Sequence, residues 1–309
     1  MKMAKVRFLE QGENARLTKG AKLLPKAVQK KYIETCRPYR LTAERDVLTA
    51  ILQTDVETGR TQVWRKQAGK LMERLKKEGV EIVIPPVEGE LPRGILPFAD
   101  GKRLTNLFAF EGAAEALRRQ GKHPEECRYL LVGGNEDDWR VALTSMGNEG
   151  NHLSIFTLDP NGAKELTQEL FEERGLMTEV FSSPKNAVFS QADVVVCCGM
   201  EQRAYEHMLG KGTVWVDLAG NRPVLRRLME HRTDVVVMDG FFFKKEEMQM
   251  EGRMAEAEAF LSCPIFRENY HFPLEQAAGK EMLCECKERG YAVSGFSLLG
   301  KRVKIRRKP

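Results

Sequence analysis

Tyr129-Leu-Leu-Val132, followed at once by Gly133-Gly134, is a short apolar run that stops in a glycine turn. Such a run suits a strand buried on both faces of a sheet. Downstream the pattern recurs. A helical stretch over 136–146 leads to Leu153-Ser-Ile-Phe156 as a second strand. Residues 163–173 read as a helix, with Leu166 and Leu170 four apart on one side and Gly175 as its stop. Further strands are expected at 178–181, 193–198, 213–216 and 234–238, with a short helix over 223–230 before the last. Strands alternating with helices make βαβ units, hence an α/β fold with a doubly wound parallel sheet and right-handed crossovers.

Outward from this core the pattern is looser. Residues 61–78 carry Val63, Leu71 and Leu75 among Lys, Arg and Glu, which predicts a surface helix ended by Gly79. Val80-Glu-Ile-Val-Ile84 then reads as a strand stopped by Pro85-Pro86, so a smaller N-terminal α/β domain is expected. A long helix over 105–120, closed by Gly121, would bridge the domains. Residues 244–261 and 273–289 look helical, and 292–308 read as a hairpin turning at Gly300-Lys301. The expected organisation is 1–103 as the N-terminal domain, 104–122 as the bridge, 123–262 as the parallel-sheet domain, and 263–309 as a helix and basic hairpin packing back on the N-terminal domain. Internal repeats and low-complexity tracts are absent from the sequence.

Composition narrows the class. At 309 residues, 42% hydrophobic and 30% charged, the chain can bury sizeable cores and does not resemble a disordered protein. No window approaches the run of about 18 apolar residues that a membrane span requires, so no membrane partner is expected. The opening residues MKMAKVRFLEQGENARLTKG lack the apolar stretch of a signal peptide. Seven Cys without a C-x-x-C pair argue against a disulfide framework and a zinc site. The expectation is a cytoplasmic chain.

The net charge of +5 is mild, but its distribution is uneven. Eight basic residues between Arg16 and Arg40 face one acid, Glu34, and KRVKIRRKP at the end adds six more. Two basic segments can meet a nucleic acid by releasing counterions. Neither carries aromatic residues interleaved for base stacking, which makes this the minority reading against a solvated face and a frayed tail.

Ligands of open parallel sheets sit beyond the carboxyl ends of the strands. Here the loop after the first strand reads Gly133-Gly134-Asn135-Glu136-Asp137-Asp138-Trp139. Against the dinucleotide fingerprint G-x-G-x-x-G, only Gly133 is in register; Asn135 and Asp138 stand at the second and third glycine positions. A helix N-terminus attracts anions, yet Glu136, Asp137 and Asp138 already occupy that first turn. Two like charges about 6 Å apart at an effective dielectric near 20 repel by roughly 3 kcal/mol before screening. Asn135 also suits a helix N-cap, and Trp139 suits a buried anchor better than a ligand-stacking ring. Asp159, 26 residues after Gly133, ends the second strand, where an acid can bind an adenosine ribose or cap the next helix. Cys198-Gly199 and Asp217 end later strands on the same edge, where small residues admit a flat ring or simply make tight turns.

Beyond the loop, the order and spacing of segments over about 100–240 resemble the shikimate-dehydrogenase-like proteins, a branch of the amino-acid-dehydrogenase-like Rossmann group. Asp100-Gly-Lys-Arg-Leu104 and Glu111-Gly112 are similar to that family's D-G-x-L-x-G-x-N-T-D-G segment. Trp215-Val-Asp-Leu-Ala-Gly-Asn-Arg-Pro-Val-Leu225 resembles its later strand, Asn-Pro turn and leucine-bearing helix, and Val237-Met-Asp-Gly240 its last Asp-Gly step. The resemblance implies a Rossmann-like domain beside a smaller α/β domain, and an NAD(P)-dependent oxidoreductase acting on a small molecule in the cleft between them, with a homodimer as an allowed state.

The resemblance also implies a Lys and Asp catalytic pair. Glu111 stands where the Asp would be, as the candidate catalytic group, but Val83-Ile-Pro-Pro-Val-Glu88 has no Lys at the matching place. Candidate cofactor contacts are Gly133, Gly134, Asn135, Asp159, Cys198, Gly199 and Asp217. The alternative is a binding or regulatory protein that keeps the fold, has a degenerate dinucleotide site, and prefers a cationic ligand at its acidic loop. The five His lack metal-ligand spacing, and Cys284 and Cys286 point to opposite sides of a helix, so no metal is expected.

Overall fold

The computed structural model describes residues 2–8, 25, 29, 39–44, 47–52, 62–86, 91–92, 94–146, 151–199, 205–274 and 278–305. Most of the basic segment at 16–40, and the end of the chain beyond Ile305, lie outside them. The chain divides into two compact units, Met1–Asp100 with Glu256–Ser262, and Gly101–Ala255 with Cys263–Pro309.

The first unit holds four strands, β1 (Lys2–Phe8), β2 (Tyr39–Glu44), β3 (Val47–Leu52) and β4 (Val80–Ile84), in the order β2-β3-β1-β4. β1 runs parallel to both β3 and β4, and β2 is antiparallel to β3. Helix α1 (Gln62–Lys77) and β4 fall where the apolar pattern put them. Leu71 and Leu75 of α1 pack with Val6, Phe8, Leu52 and Val83 in one core. The first three strands carry no such announcement in the sequence: β1 mixes Lys and Arg with apolar residues at a weak alternation, and only pairing on both sides defines it.

The second unit is built on six parallel strands, β5 (Arg128–Val132), β6 (His152–Phe156), β7 (Thr178–Phe181), β8 (Val194–Cys197), β9 (Val214–Asp217) and β10 (Val236–Met238). Their spatial order is β10-β9-β8-β5-β6-β7. Numbered from β5, that is the 3-2-1-4-5-6 arrangement of the doubly wound dinucleotide fold, with the order reversing between β5 and β8. The fold is α/β and doubly wound, as the alternation of strands and helices predicts. Leu130, Val132, Phe156, Val195, Trp215 and Leu228 share one core on the sheet.

Two segments depart from the expected pattern. The helix foreseen over 105–120 is two helices, α2 (Lys102–Leu107) and α3 (Ala109–Gln120). They break at Phe108, which is fully buried edge-on against Phe243, with ring centroids 5.3 Å apart. The charged stretch from Lys244 is not helical at first: β11 (Gly240–Lys245) turns through Glu246, at φ +56, into β12 (Met248–Glu251). Pairing of β11 with β13 (Ala292–Leu298) overrides the local helical propensity. β14 (Lys301–Val303) completes this antiparallel sheet through a turn at Leu299-Gly300, both with positive φ, so the predicted hairpin is present. The remaining helices are α4 (Glu136–Leu143), α5 (Lys164–Arg174), α6 (Asn186–Gln191), α7 (Arg222–His231), α8 (Gly252–Ser262), α9 (Pro264–Glu268) and α10 (Gly279–Glu288). Among the described residues no helix is long and apolar enough to cross a membrane.

Candidate functional site at the carboxyl edge of the parallel sheet

The carboxyl ends of β5, β8 and β9 bring Gly133-Gly134, Cys198-Gly199 and Asp217 to one edge, beside the point where strand order reverses. Gly133 and Gly134 both adopt left-handed backbone, at φ +66 and +79. Gly133 N–H continues the ladder by donating to the Phe156 carbonyl at 3.0 Å, and Cys198 N–H donates to the Val132 carbonyl at 3.0 Å. The two loops touch: a Cβ on Gly199 would lie 2.1 Å from the Gly134 nitrogen and 2.8 Å from its Cα. Both neighbours are backbone and cannot swing aside. Gly199→Ala should therefore cost about 1–3 kcal/mol by forcing the loops apart. Urea denaturation checks this, and a loss under about 0.5 kcal/mol, the level of an ordinary surface substitution, would contradict the contact.

The helix that follows β5 closes its own N-terminus. Asn135 Oδ1 accepts from Asp138 N–H and Asp138 Oδ2 accepts from Asn135 N–H, both at 3.0 Å, forming a capping box. Asn135 is thus the expected N-cap. A Cβ on Gly134 would lie 3.0 Å from the Asp138 carboxylate and from Cys198 Cβ, so Asp138 sits over the place where a backbone would approach a phosphate. Glu136 accepts from Arg140 Nε at 2.8 Å, and Arg140 also grips Glu169 on α5, with Nη2 at 2.9 Å from Oε1. These bonds push the Arg140 pKa up and hold the Glu169 carboxyl below its usual range. Trp139 is buried, and its indole N–H donates to the Gly133 carbonyl at 2.7 Å. The ring locks the glycine turn from below, as an anchor rather than a stacking platform.

Asp159 caps its own loop: its Oδ1 accepts from Gly162 N–H at 3.3 Å. Asp217 is different. It is 1% exposed, its Oδ2 accepts from Asn221 N–H at 2.8 Å, and the Cys197 side chain lies against the carboxylate as a further partner. Burial pushes its pKa up to about 6, opposed by the Asn221 N–H; the Asp239 charge adds to the rise and the Lys102 charge counters it. Lys102 Nζ lies 3.3 Å from where a Gly220 Cβ would stand, which places it at the loop after β9. Asp239, whose two oxygens accept from Leu299 N–H at 3.0 and 3.1 Å, is likewise shifted up by burial. Burial also pushes the Cys198 thiol up, reinforced by the Asp138 and Asp217 charges, which leaves it a packing group.

Glu111 goes elsewhere. Its N–H donates to Ser145 Oγ at 3.4 Å, and its carboxylate pairs with Lys287 of α10 at 2.6 Å. A lysine does stand beside this candidate, supplied from a helix far along the chain rather than from the loop after β4. Sequence reading missed Lys287, Lys102 and Asp239. The last two lie inside the quoted Asp-Gly-Lys and Met-Asp-Gly segments and were visible as titratable groups there; no local signal pairs Lys287 with Glu111.

The resemblance noted in the sequence implies a nicotinamide dinucleotide, and the glycine loop bears on whether one fits. A pyrophosphate needs free N–H groups and positive potential at the helix N-terminus. Two of those N–H groups are spent in the capping box, Asp138 covers Gly134, and Asp137 adds a further carboxylate on the first turn. The loop as folded does not present that donor set. Among the described residues no group of three or more His, Cys, Asp or Glu is placed to hold a metal ion.

No protein-family model matches the chain, and no curated protein matches it significantly in sequence. Solved structures do. L-tryptophan dehydrogenase from Nostoc punctiforme aligns over 94% of this chain and 84% of its own, at 13% identity and a TM-score of 0.37. Mycobacterium tuberculosis shikimate dehydrogenase aligns over 93% and 100%, at 13% identity and 0.33. Thermococcus litoralis Δ1-pyrroline-2-carboxylate reductase, solved with NADH and L-proline, aligns over 41% of each chain, at 14% identity and 0.29. The chain thus spans well under half of that reductase. The strand order of the parallel sheet rests on the pairing of its six strands and not on these likenesses.

Proposed function

We propose that this chain is a Rossmann-like binding or regulatory protein whose dinucleotide site is degenerate, taking a small ligand of neutral or positive charge at the carboxyl edge of its six-stranded sheet. One observation carries the reading: the reciprocal Asn135–Asp138 capping box, which consumes helix N-terminal donors and sets a carboxylate over Gly134. A pyrophosphate arriving there meets repulsion where the standard fold offers attraction.

The second reading is an NAD(P)-dependent oxidoreductase. The 3-2-1-4-5-6 strand order and the placement of Asp159 at the second strand's end favour it. Titration of the full chain with NADH and with NADPH, followed by nucleotide fluorescence and calorimetry, separates the two. No saturation is expected up to about 1 mM, a free energy of only about −4 kcal/mol. Saturable binding below about 1 mM would overturn the first reading, and nucleotide turnover with a small substrate would then be needed to support the second. Nucleic-acid binding through the basic ends draws support from composition alone, and a salt-dependent RNA gel shift tests it.

A further inference from the structure

The opposite edge of the same sheet carries a groove of about 260 Å³. Arg128, His152, Met177, Glu179, Val188 and Gln191 line it, at the amino ends of β5, β6 and β7 and on α6. β5 is five residues long, so at about 3.3 Å per residue roughly 16 Å of strand separates this groove from Gly133. It is a place in the fold distinct from the carboxyl edge.

Arg128 and His152 are register partners in the parallel β5–β6 ladder, so they stand on the same face one strand spacing apart, about 4.8 Å. Both are exposed. The Arg128 guanidinium donates through Nη1 to the Gln191 side-chain carbonyl, a neutral partner that orients the fork without cancelling its charge. Among the described residues Arg128 forms no ion pair. The acid in the lining, Glu179, is engaged by Lys185 at 2.8 Å. A guanidinium has five N–H donors, and one neutral acceptor leaves most of them for a planar anion. Val188 and the Met177 side chain, 82% exposed, supply apolar wall beside this fork. An exposed methionine at the rim of a polar groove is a flexible surface for a short hydrocarbon.

The geometry points to a second ligand site here, one that binds a small organic carboxylate: Arg128, steadied by Gln191 and flanked by His152, takes the carboxylate, and Met177 and Val188 cover its apolar tail. A single guanidinium matches the charge of a monocarboxylate better than that of a phosphate dianion. The site is independent of the carboxyl-edge reading and does not stand or fall with it.

Butyrate and inorganic phosphate serve as probes against the whole 309-residue chain, read by calorimetry and by amide chemical shifts. Saturable butyrate binding is expected, with shifts gathered at the starts of β5, β6 and β7 and none at Gly133-Gly134. Arg128→Gln should weaken it at least about tenfold, the effect of losing a charged hydrogen-bond partner. Met177→Glu should weaken butyrate by placing a like charge on the apolar wall. Both residues are exposed, so each variant keeps the parent's fold, which circular dichroism checks. The proposal is overturned by no saturation up to about 50 mM, by unchanged affinity in Arg128→Gln, or by phosphate binding more tightly than butyrate.

Discussion

Trp139→Ala is expected to lower the stability of the six-stranded unit by about 3–5 kcal/mol, the range for removing a buried aromatic side chain. Trp139 is 1% exposed, among the largest fully buried side chains, and its indole donates 2.7 Å to the Gly133 carbonyl. Removing it leaves a cavity beneath the glycine turn and strips that carbonyl of its donor. Two left-handed residues in succession, Gly133 and Gly134, then lose the contact that holds their conformation. Trp139→Phe keeps most of the volume and loses the hydrogen bond, so it should cost less, about 1–3 kcal/mol. Chemical denaturation followed by a probe within this unit measures both. A loss under about 1.5 kcal/mol for the alanine variant, well below the buried-aromatic range, would mean that the turn is held by something other than this ring.

Asp217→Asn is expected to stabilise the protein at neutral pH and leave it unchanged near pH 3. The folded-state pKa of Asp217 is raised, from 3.8 to about 6. The native state therefore holds this proton more tightly than the unfolded chain does. The stability linked to it is fully present below pH 3.8 and is lost as pH rises through about 6. Two pKa units correspond to about 3 kcal/mol at 1.36 kcal/mol each. Asparagine removes the charge, and its side-chain carbonyl can still accept from Asn221 N–H. The wild-type and variant stability curves should coincide at acid pH and separate between pH 4 and 7, with the variant higher. A constant offset across that range would show that Asp217 does not titrate there, since other groups change together in both proteins.

At this site local sequence sets which groups are present, and tertiary contacts set where they point. The carboxylates of the glycine loop are plain in Glu136-Asp137-Asp138, and so is the poor fit to G-x-G-x-x-G. The direction in which Asp138 points is not: it follows from Asn135 taking the N-cap, which turns the third acid back toward the preceding backbone. Asp159 could be placed at a strand end from sequence, but whether its carboxylate was available depended on the local turn, and Gly162 takes it. Glu111 looked bereft of a lysine because its partner, Lys287, lies 176 residues away in the chain. Local windows carry no information about such a meeting.

By itself the sequence determined the parallel sheet. Its central strands, with Leu-Leu-Val in β5 and Val-Val-Val in β8, are short apolar runs bounded by glycine and polar turns, a pattern that suits strands buried on both faces. It also determined the acidity of the loop after β5, because charge is a property of composition. Tertiary structure alone decided the order of the strands, the fate of 244–251 as a hairpin, and the burial of Asp217 to the point of raising its pKa. Each of these depends on partners brought together from distant segments. Strand pairing and desolvation are sums over neighbours in space, and a chain read residue by residue shows only neighbours in sequence.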